Sequence, residues 1–423
     1  MLPALADELK LPASNREGWL TGCYERICRD KNTGERSGIE LGILCPVPEE
    51  AGPIRKEIGA AVFYGFEEDL SRPEVYDERL EGRFREVLED FQPDIIHIFG
   101  TEFPHTLAMT RVFGNPQHTL IGIQGVCNSI AEVYMAELPF WVRTRRTFRD
   151  LIRHDSLKEQ RIKYEKRARF ESSALAGTGH ITGRTMFDRK WAVEMNPDAV
   201  YHPMNETMRA VFYEGKWELS GAQPHRIFMS QGDYPLKGFH FILQAMPEIL
   251  KKYPDTVLYI AGNSIIGAEG GLIGKKKAPW PLWITSYGLY LKWLIRRNHL
   301  KGKVFVLGNL KATEMKREFL KSHVYICPSV IENSPNSLCE AMLLGMPAAA
   351  SAVGGIPDLI KDGEEGLLFR AGQIEEIAET VCRIFENGEL ARELGRNAAA
   401  RAAVAHNPDT NYRRLMEIYY SMM

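Results

Sequence analysis

The residue types best suited to chemistry cluster between positions 322 and 359, in the run SHVYICPSVIENSPNSLCEAMLLGMPAAASAVGGIPDL. An apolar strand ends near Cys327, a polar loop follows, and a helix is expected from about Ser334. Ser334 suits the N-cap and Pro335 the first helical position. The backbone N–H groups of Asn336, Ser337 and Leu338 would then be uncommitted, and such a helix N-terminus binds anions, phosphate above all. Glu340, on the same helix, could accept two hydrogen bonds from a ribose diol. Glu332, eight positions earlier in the loop, could face a sugar hydroxyl group on the other side of the phosphate. Two glutamates at this spacing also arise by chance, one in a surface loop and one on a helix surface, so their weight comes from context.

That context is an alternation of strands and helices. Residues 39–47, 60–66, 94–99 and 119–125 are expected as buried strands, with helices such as 76–91 between them, carrying Leu80, Phe84, Val87 and Leu88 on one face. A second series of strands follows at 226–230, 257–261, 304–307, 324–327, 346–351 and 366–369. Strand patterning lapses over 201–223, where Pro203, Gly215 and Gly221 punctuate the chain. The pattern predicts an α/β protein of two doubly wound, Rossmann-like parallel-sheet domains facing across a cleft, with ligands beyond the carboxyl ends of the strands. The expected boundaries are 1–208, 209–395, and C-terminal helices over 396–423 that cross back to the first domain.

Composition excludes several classes. With 423 residues, 44% hydrophobic and 26% charged, the chain is neither disordered nor a disulfide scaffold. A net charge of −2 argues against bulk nucleic-acid binding. The 7 cysteines form no Cys-x-x-Cys pair, which predicts a reducing, cytoplasmic location and no structural zinc. No apolar run approaches a membrane span. Residues 143–169 nevertheless hold 11 Lys/Arg against 4 Asp/Glu, with Phe148, Leu151 and Ile152 at helical spacing. One reading is a solvated helical face; the other is a basic amphipathic helix that touches an anionic membrane surface peripherally. A further departure, 263–297, combines Gly-rich turns, Lys275–Lys277 and an aromatic series; its first part is expected as a loop over the cleft and 285–297 as a helix.

Taken together, the strand, Glu332-x7-Glu340, helix, Gly345-x-Pro347, strand and Gly354-Gly355-Ile356-Pro357 resemble the family 4 retaining glycosyltransferases of the GT-B fold. The resemblance is strongest from about 224 to 369. It implies a nucleoside-diphosphate sugar donor bound mainly by the C-terminal domain, Glu340 on the nucleotide ribose and Glu332 on the transferred sugar. The segment SQGDYPLKG at 230–238 resembles the loop whose lysine neutralises the donor diphosphate, a role that falls to Lys237. The alternative for Lys237 is an exposed residue in a turn. Where the family usually has an arginine five residues earlier, this chain has Gly232. Residues 15–19 resemble the N-terminal Gly-rich loop, with Gly18 retained and Glu17 in place of its partner. Gln124 stands where many members have a histidine; it can hydrogen-bond a sugar hydroxyl group but cannot titrate.

Glu102 and His105 in GTEFPH are acceptor-side candidates at a strand end, whereas His97 carries little weight. The run from His202 to Glu206 would line a hinge or serve as a plain linker. Arg184 is a candidate substitute for the missing cation, against the alternative of a structural salt bridge. No Asp-x-Asp pair occurs, so neither a metal nor another cofactor is expected. The expected activity is retaining transfer of a hexose-type sugar to a glycan or lipid-linked acceptor, in cell-surface polysaccharide synthesis. The rivals are a nucleotide-sugar epimerase or hydrolase on the same scaffold, and a degenerate nucleotide-sugar-binding protein. Finally, the first 17 residues lack apolar β-branched side chains and suit a loop or helical turn rather than the central strand such a domain needs. Met1 is therefore expected to be an internal methionine of a longer chain, with that strand encoded upstream.

Overall fold

A computed structural model of the chain describes residues 2–10, 18–32, 39–135, 137–263, 265–266 and 284–423. Contacts divide it into two units, one of Met1–Asn128, Lys163–Arg209 and Ala405–Met423, the other of Ser129–Ile162 and Ala210–Val404. The stretch Ser129–Ile162, assigned from sequence to the first domain, thus groups with the second unit, and the return to the first begins at Ala405 rather than 396.

In the second unit, strands β8 (Gln223–Met229), β9 (Val257–Ala261), β10 (Val304–Gly308), β11 (Ser322–Cys327), β12 (Ala348–Ser351) and β13 (Leu367–Phe369) form one sheet. Its order is β10-β9-β8-β11-β12-β13 and every pairing is parallel. β11 is buried along its whole length and β12 likewise, the signature of strands covered on both faces. Phe228, Phe319 and Tyr325 interlock in the core, with the Phe228 and Phe319 rings edge to face at 5.0 Å. The chain runs outward from β8 to β10, then resumes at β11 on the other side of β8, so the direction of winding reverses between β8 and β11. That reversal parts the loops after the two strands and opens a crevice at their carboxyl ends.

The first unit has two sheets. β1 (Leu41–Val47), β2 (Ile54–Ile58) and β3 (Ala61–Glu67) run in the order β1-β3-β2, with β2 antiparallel to β3. β2 escapes the sequence pattern because IRKEI carries only two apolar residues; Ile54 alone is buried, and Gly59 at φ 59° turns the chain into β3. β4 (Ile96–Phe99), β5 (Thr119–Gly122), β6 (His180–Gly183) and β7 (Val200–Pro203) form a second, parallel sheet in sequence order. Among the described residues no strand bridges β1 and β4. Pro3–Glu8 is a helix, and Leu2 and Leu5 pack on Val47, Ile54, Ala61 and Phe63 of the small sheet.

The basic stretch is not one helix. Phe140–Thr144, Phe148–Arg153 and Leu157–Ala176 are separate, because Thr147 and Asp150 close a capping box and His154 leaves the second helix at φ 49°. Helix Ser286–Arg297 follows the sequence expectation closely, while Lys275–Lys277 and most of the expected loop lie outside the described residues. Among the described residues no helix is long and apolar enough to cross a membrane.

Candidate functional site

β8 and β11 are neighbours in register, with Phe228 opposite Tyr325, so the loops that follow them leave the sheet side by side. After β8 the chain makes a short turn over Pro235–Lys237 and enters helix Phe239–Lys252 through Gly238 at φ 70°. A β-carbon on Gly238 would stand 1.7 Å from the Pro328 carbonyl oxygen. The two loops therefore touch backbone to backbone, and the Val330 N–H donates to the Leu236 carbonyl at 2.7 Å. This contact brings Lys237 Nζ to 2.5 Å from Glu332 Oε1, which also accepts from the Ser329 hydroxyl at 2.8 Å.

A third loop, after β12, completes the arrangement. Gly355 N–H donates to the Glu332 carbonyl at 3.0 Å, and a β-carbon on Gly354 would lie 1.9 Å from that same oxygen. The Gly354-Gly355 pair of the sequence motif is thus the backbone cradle of Glu332. Ser351 Oγ donates to the Ser329 carbonyl at 2.6 Å from the end of β12. Burial works against the charge of Lys237, and Glu332 more than offsets it, so the ammonium titrates well above the usual lysine range. Lys237 is not the exposed turn residue that the sequence left as an alternative; its side chain is 20% exposed and that of Glu332 11%.

The helix after β11 runs from Asn336 to Leu343 with Pro335, not Ser334, as its cap. Proline disfavours the helical region for the residue before it, and Pro335 itself is extended at ψ 112°. The Pro335 carbonyl accepts from the Leu338 N–H at 2.9 Å, so of the three expected backbone donors Leu338 is already committed. The Ser337 N–H belongs to the first turn, where the helix has no carbonyl of its own to offer it. Ser337 is placed by its side chain, in a triangle of hydroxyls with Ser230 Oγ at 2.9 Å and Tyr325 OH at 2.8 Å. Sequence reasoning missed this triangle; its signal was Ser230 just beyond β8 and Tyr325 on the neighbouring strand. Glu340 is buried rather than on a helix surface.

Gly232, the site of the absent arginine, packs tightly: a β-carbon would come within 3.0 Å of the Phe239 ring and 3.2 Å of Ile260. A side chain there would need the Phe239 ring and Ile260 to give by a few tenths of an ångström.

In the first unit the loops after β4, β5 and β6 carry the other candidates. Glu102 is folded under its own loop, accepting from the Thr101 N–H at 3.1 Å and lying where a β-carbon on Gly125 would be 2.5 Å away. Burial pushes its carboxyl up, and Arg167 opposes that shift. His105 Nδ1 is 2.6 Å from Glu68 Oε2, with its ring stacked on Phe103. Gln124 Nε2 donates to Glu206 Oε1 at 2.5 Å, and Arg184 Nη1 sits 3.1 Å from Glu206 Oε2. Arg184 is therefore held in a buried ion pair, the structural alternative left open by the sequence. Glu206, read as a hinge or linker residue, is its partner. His97 is half-buried, bonded through Nδ1 to Tyr419 OH at 2.9 Å, and desolvation lowers it to about 3. Gly18 opens helix Gly18–Asn32, but residues 15–17 of the expected loop lie outside the described ones.

Glu171 was also missed. It accepts from the Thr101 hydroxyl at 2.6 Å and from the Cys127 N–H at 3.2 Å, capping helix Cys127–Val133. Burial raises it to about 7.

Residues 217–401, within the second unit, match the family model described as glycosyl transferases group 1. Spore coat protein SA of Bacillus subtilis is 26% identical over 209 residues, 48% of this chain and 50% of that protein. The chain spans about half or less of the curated relatives it matches. Sucrose-phosphate synthase of Thermosynechococcus elongatus superposes with a TM-score of 0.69 at 15% identity, over 97% of this chain and 94% of that one. HepE of Anabaena, solved in complex with UDP and glucose, gives 0.58 at 15% identity over 86% and 87%. At these identities the likeness is one of fold, and the fold is GT-B.

Proposed function

We propose that this protein is a retaining glycosyltransferase that moves a hexose-type sugar from a nucleoside diphosphate to a glycan or lipid-linked acceptor. The observation that carries the reading is the Lys237–Glu332 pair, held by three loop backbones at the point where the β8–β11 sheet reverses its winding. Ligands of doubly wound sheets bind at that point. The solved complex of HepE with UDP and glucose adds support from a protein of the same fold.

In this reading the donor diphosphate lies against Lys237 and the first turn of helix Asn336–Leu343. Glu332 holds the lysine charged and oriented before the donor arrives, then turns its carboxylate to a hydroxyl group of the transferred sugar. Glu340 takes the ribose diol. The charge that develops on the leaving diphosphate is met by a fixed ammonium and by helix-end N–H groups, which need no reorganisation as the bond breaks. No metal ion is called for. Catalysis by such a site rests on positioning and electrostatics, with acceptor attack on the face the diphosphate leaves. Glu102, His105 and Gln124 would lie on the acceptor side, and cell-surface polysaccharide is the product class that fits such an acceptor. Gly18 would belong to the donor side.

A second reading is favoured by Gly232, which leaves the loop without the usual second cation: the protein binds a nucleotide sugar without transferring it. Thermal shift with a panel of nucleotide sugars, followed by product analysis with and without glycan acceptors, separates the readings. A transferase gives a raised melting temperature with one donor class and product only with acceptor. Stabilisation without product supports the second reading, product without acceptor a hydrolase or epimerase, and no stabilisation by any donor refutes the donor site.

A further inference from the structure

Large apolar side chains are exposed in two regions of the second unit that lie far apart in sequence. Phe140 is 77% exposed, Phe148, Leu151 and Ile152 are each more than half exposed, and Trp141 and Trp293 are 39% exposed. These residues sit on helices fixed to one another. Trp141 meets Tyr290 at 5.6 Å and Trp293 at 5.7 Å, both edge to face. The Ser286 N–H, at the start of helix Ser286–Arg297, donates to Asp150 Oδ2 of helix Phe148–Arg153 at 3.3 Å. The exposed side chains thus stand on a braced platform rather than on loose chain.

The charge around them is mostly positive. From Phe140 to Arg153 the cations are Arg143, Arg145, Arg146, Arg149 and Arg153, and the only carboxylate is Asp150. Asp150 is 1% exposed and occupied by its capping box and by Ser286. Arg146 and Arg149 are paired with Glu159 and Asp155, but no described residue forms an ion pair with Arg143, Arg145, Arg153 or Arg296. Between the two helical regions lies a shallow cavity of about 540 Å³ lined by Trp141, Arg145, Leu289, Lys292, Trp293 and Arg296. Its described lining residues include two tryptophans and three cations and no carboxylate.

We infer that this face docks on an anionic lipid bilayer. Phe140, Phe148, Leu151 and Ile152 enter the boundary between headgroups and acyl chains, and the arginines and the Trp141–Trp293 cavity meet lipid phosphates. Exposed apolar tips ringed by unpaired arginines and flanked by tryptophan match the chemistry of that interface, where one layer is apolar and the next negatively charged. The arrangement differs from a single basic amphipathic helix over 143–169 because helix Ser286–Arg297 supplies four of the six residues that line the cavity.

Flotation of the full chain with vesicles tests it without any turnover, so the result stands apart from the donor site. Vesicles containing phosphatidylglycerol should bind about tenfold more protein than pure phosphatidylcholine, and raising salt from about 0.1 to 0.5 M should remove most of that difference. Leu151→Ser with Ile152→Ser, and separately Arg145→Glu with Arg296→Glu, should each cut binding about tenfold while the melting temperature stays within a few degrees. Equal binding to both vesicle types, indifference to salt, or wild-type binding by both variants would overturn the inference. So would a dimer in light scattering that the serine variant abolishes in a protein that does not float, since the partner would then be a second copy.

Discussion

Lys237 and Glu332 are each legible in the sequence because each directly follows a strand of a doubly wound sheet. Their pairing is not, since 95 residues separate them and only the adjacency of β8 and β11 brings them together. The pair changes what a substitution there should do. Glu332→Gln keeps the hydrogen-bonding shape but leaves a mostly buried ammonium without its counter-charge. Turnover should fall at least about tenfold, and unfolding in urea should show a loss of about 1–3 kcal/mol. Lys237→Met in the same background should restore most of the stability and none of the activity, because it removes the orphaned charge. If Glu332→Gln transfers sugar at the wild-type rate, the donor-site assignment is wrong. Glu206 shows the opposite case: its sequence context looked like a linker, and its role as the partner of Gln124 and Arg184 emerges only when β5, β6 and the chain after β7 are assembled.

At the scale of elements, glycines do more of the positioning than the helices. Gly238 and Gly354 both have positive φ, and at both a β-carbon would collide with a carbonyl oxygen of the neighbouring loop. Gly302 has φ 75° as well but faces open space. Substitution by alanine should therefore separate two effects. Gly302→Ala should cost about 1–2 kcal/mol, the penalty of the left-handed conformation alone, with turnover unchanged. Gly238→Ala and Gly354→Ala should cost more than that, and should lower turnover as well by moving Lys237 or Glu332. Equal stability losses in all three variants, with activity intact, would mean that the loop contacts do not position the pair. The glycine pair at 354–355 was visible as a motif, but its purpose, cradling the Glu332 carbonyl, belongs to a contact between loops.

At the scale of the whole molecule, buried imidazoles set the response to pH. Burial lowers His97 and His240 to about 3, and His202, His323 and His406 to about 4, from the ordinary 6.5. Below 6.5 the unfolded chain takes up protons that the folded chain refuses, so this stability is present above pH 6.5 and is lost as pH falls toward 4 and 3. Glu171, raised from 4.5 to about 7, acts in the other sense: its contribution is present below pH 4.5 and is lost as pH rises through 7. Burial raises the carboxyls of Glu102, Asp188 and Glu206 in the same sense as Glu171 and lowers His180 with the other imidazoles, so six imidazoles stand against four carboxyls and the urea midpoint is expected to fall from pH 7 to pH 5. His97, His202 and His406 lie in the first unit and His240 and His323 in the second, so both should respond. A midpoint that is flat or higher at pH 5 would show that these histidines are protonated in the folded protein.

The local pattern of the chain determined the parallel α/β class and most strand positions, because buried strands must be short apolar runs and crossover helices must be amphipathic. It also marked the loops after β8, β11 and β12 as the ones to carry chemistry. It could not determine where the basic stretch 143–169 belongs, or that a capping box at Thr147 and a left-handed His154 break it into separate helices, because those depend on which surfaces remain to be covered. The same holds for Ser334 and Pro335: local preference names a cap, but the cap observed is the residue whose carbonyl can take the Leu338 N–H. Periodicity is a property of neighbours along the chain. The ion pairs, the glycine contacts and the exposed cationic face are properties of neighbours in space, and only the packed sheet with its reversed winding decides those.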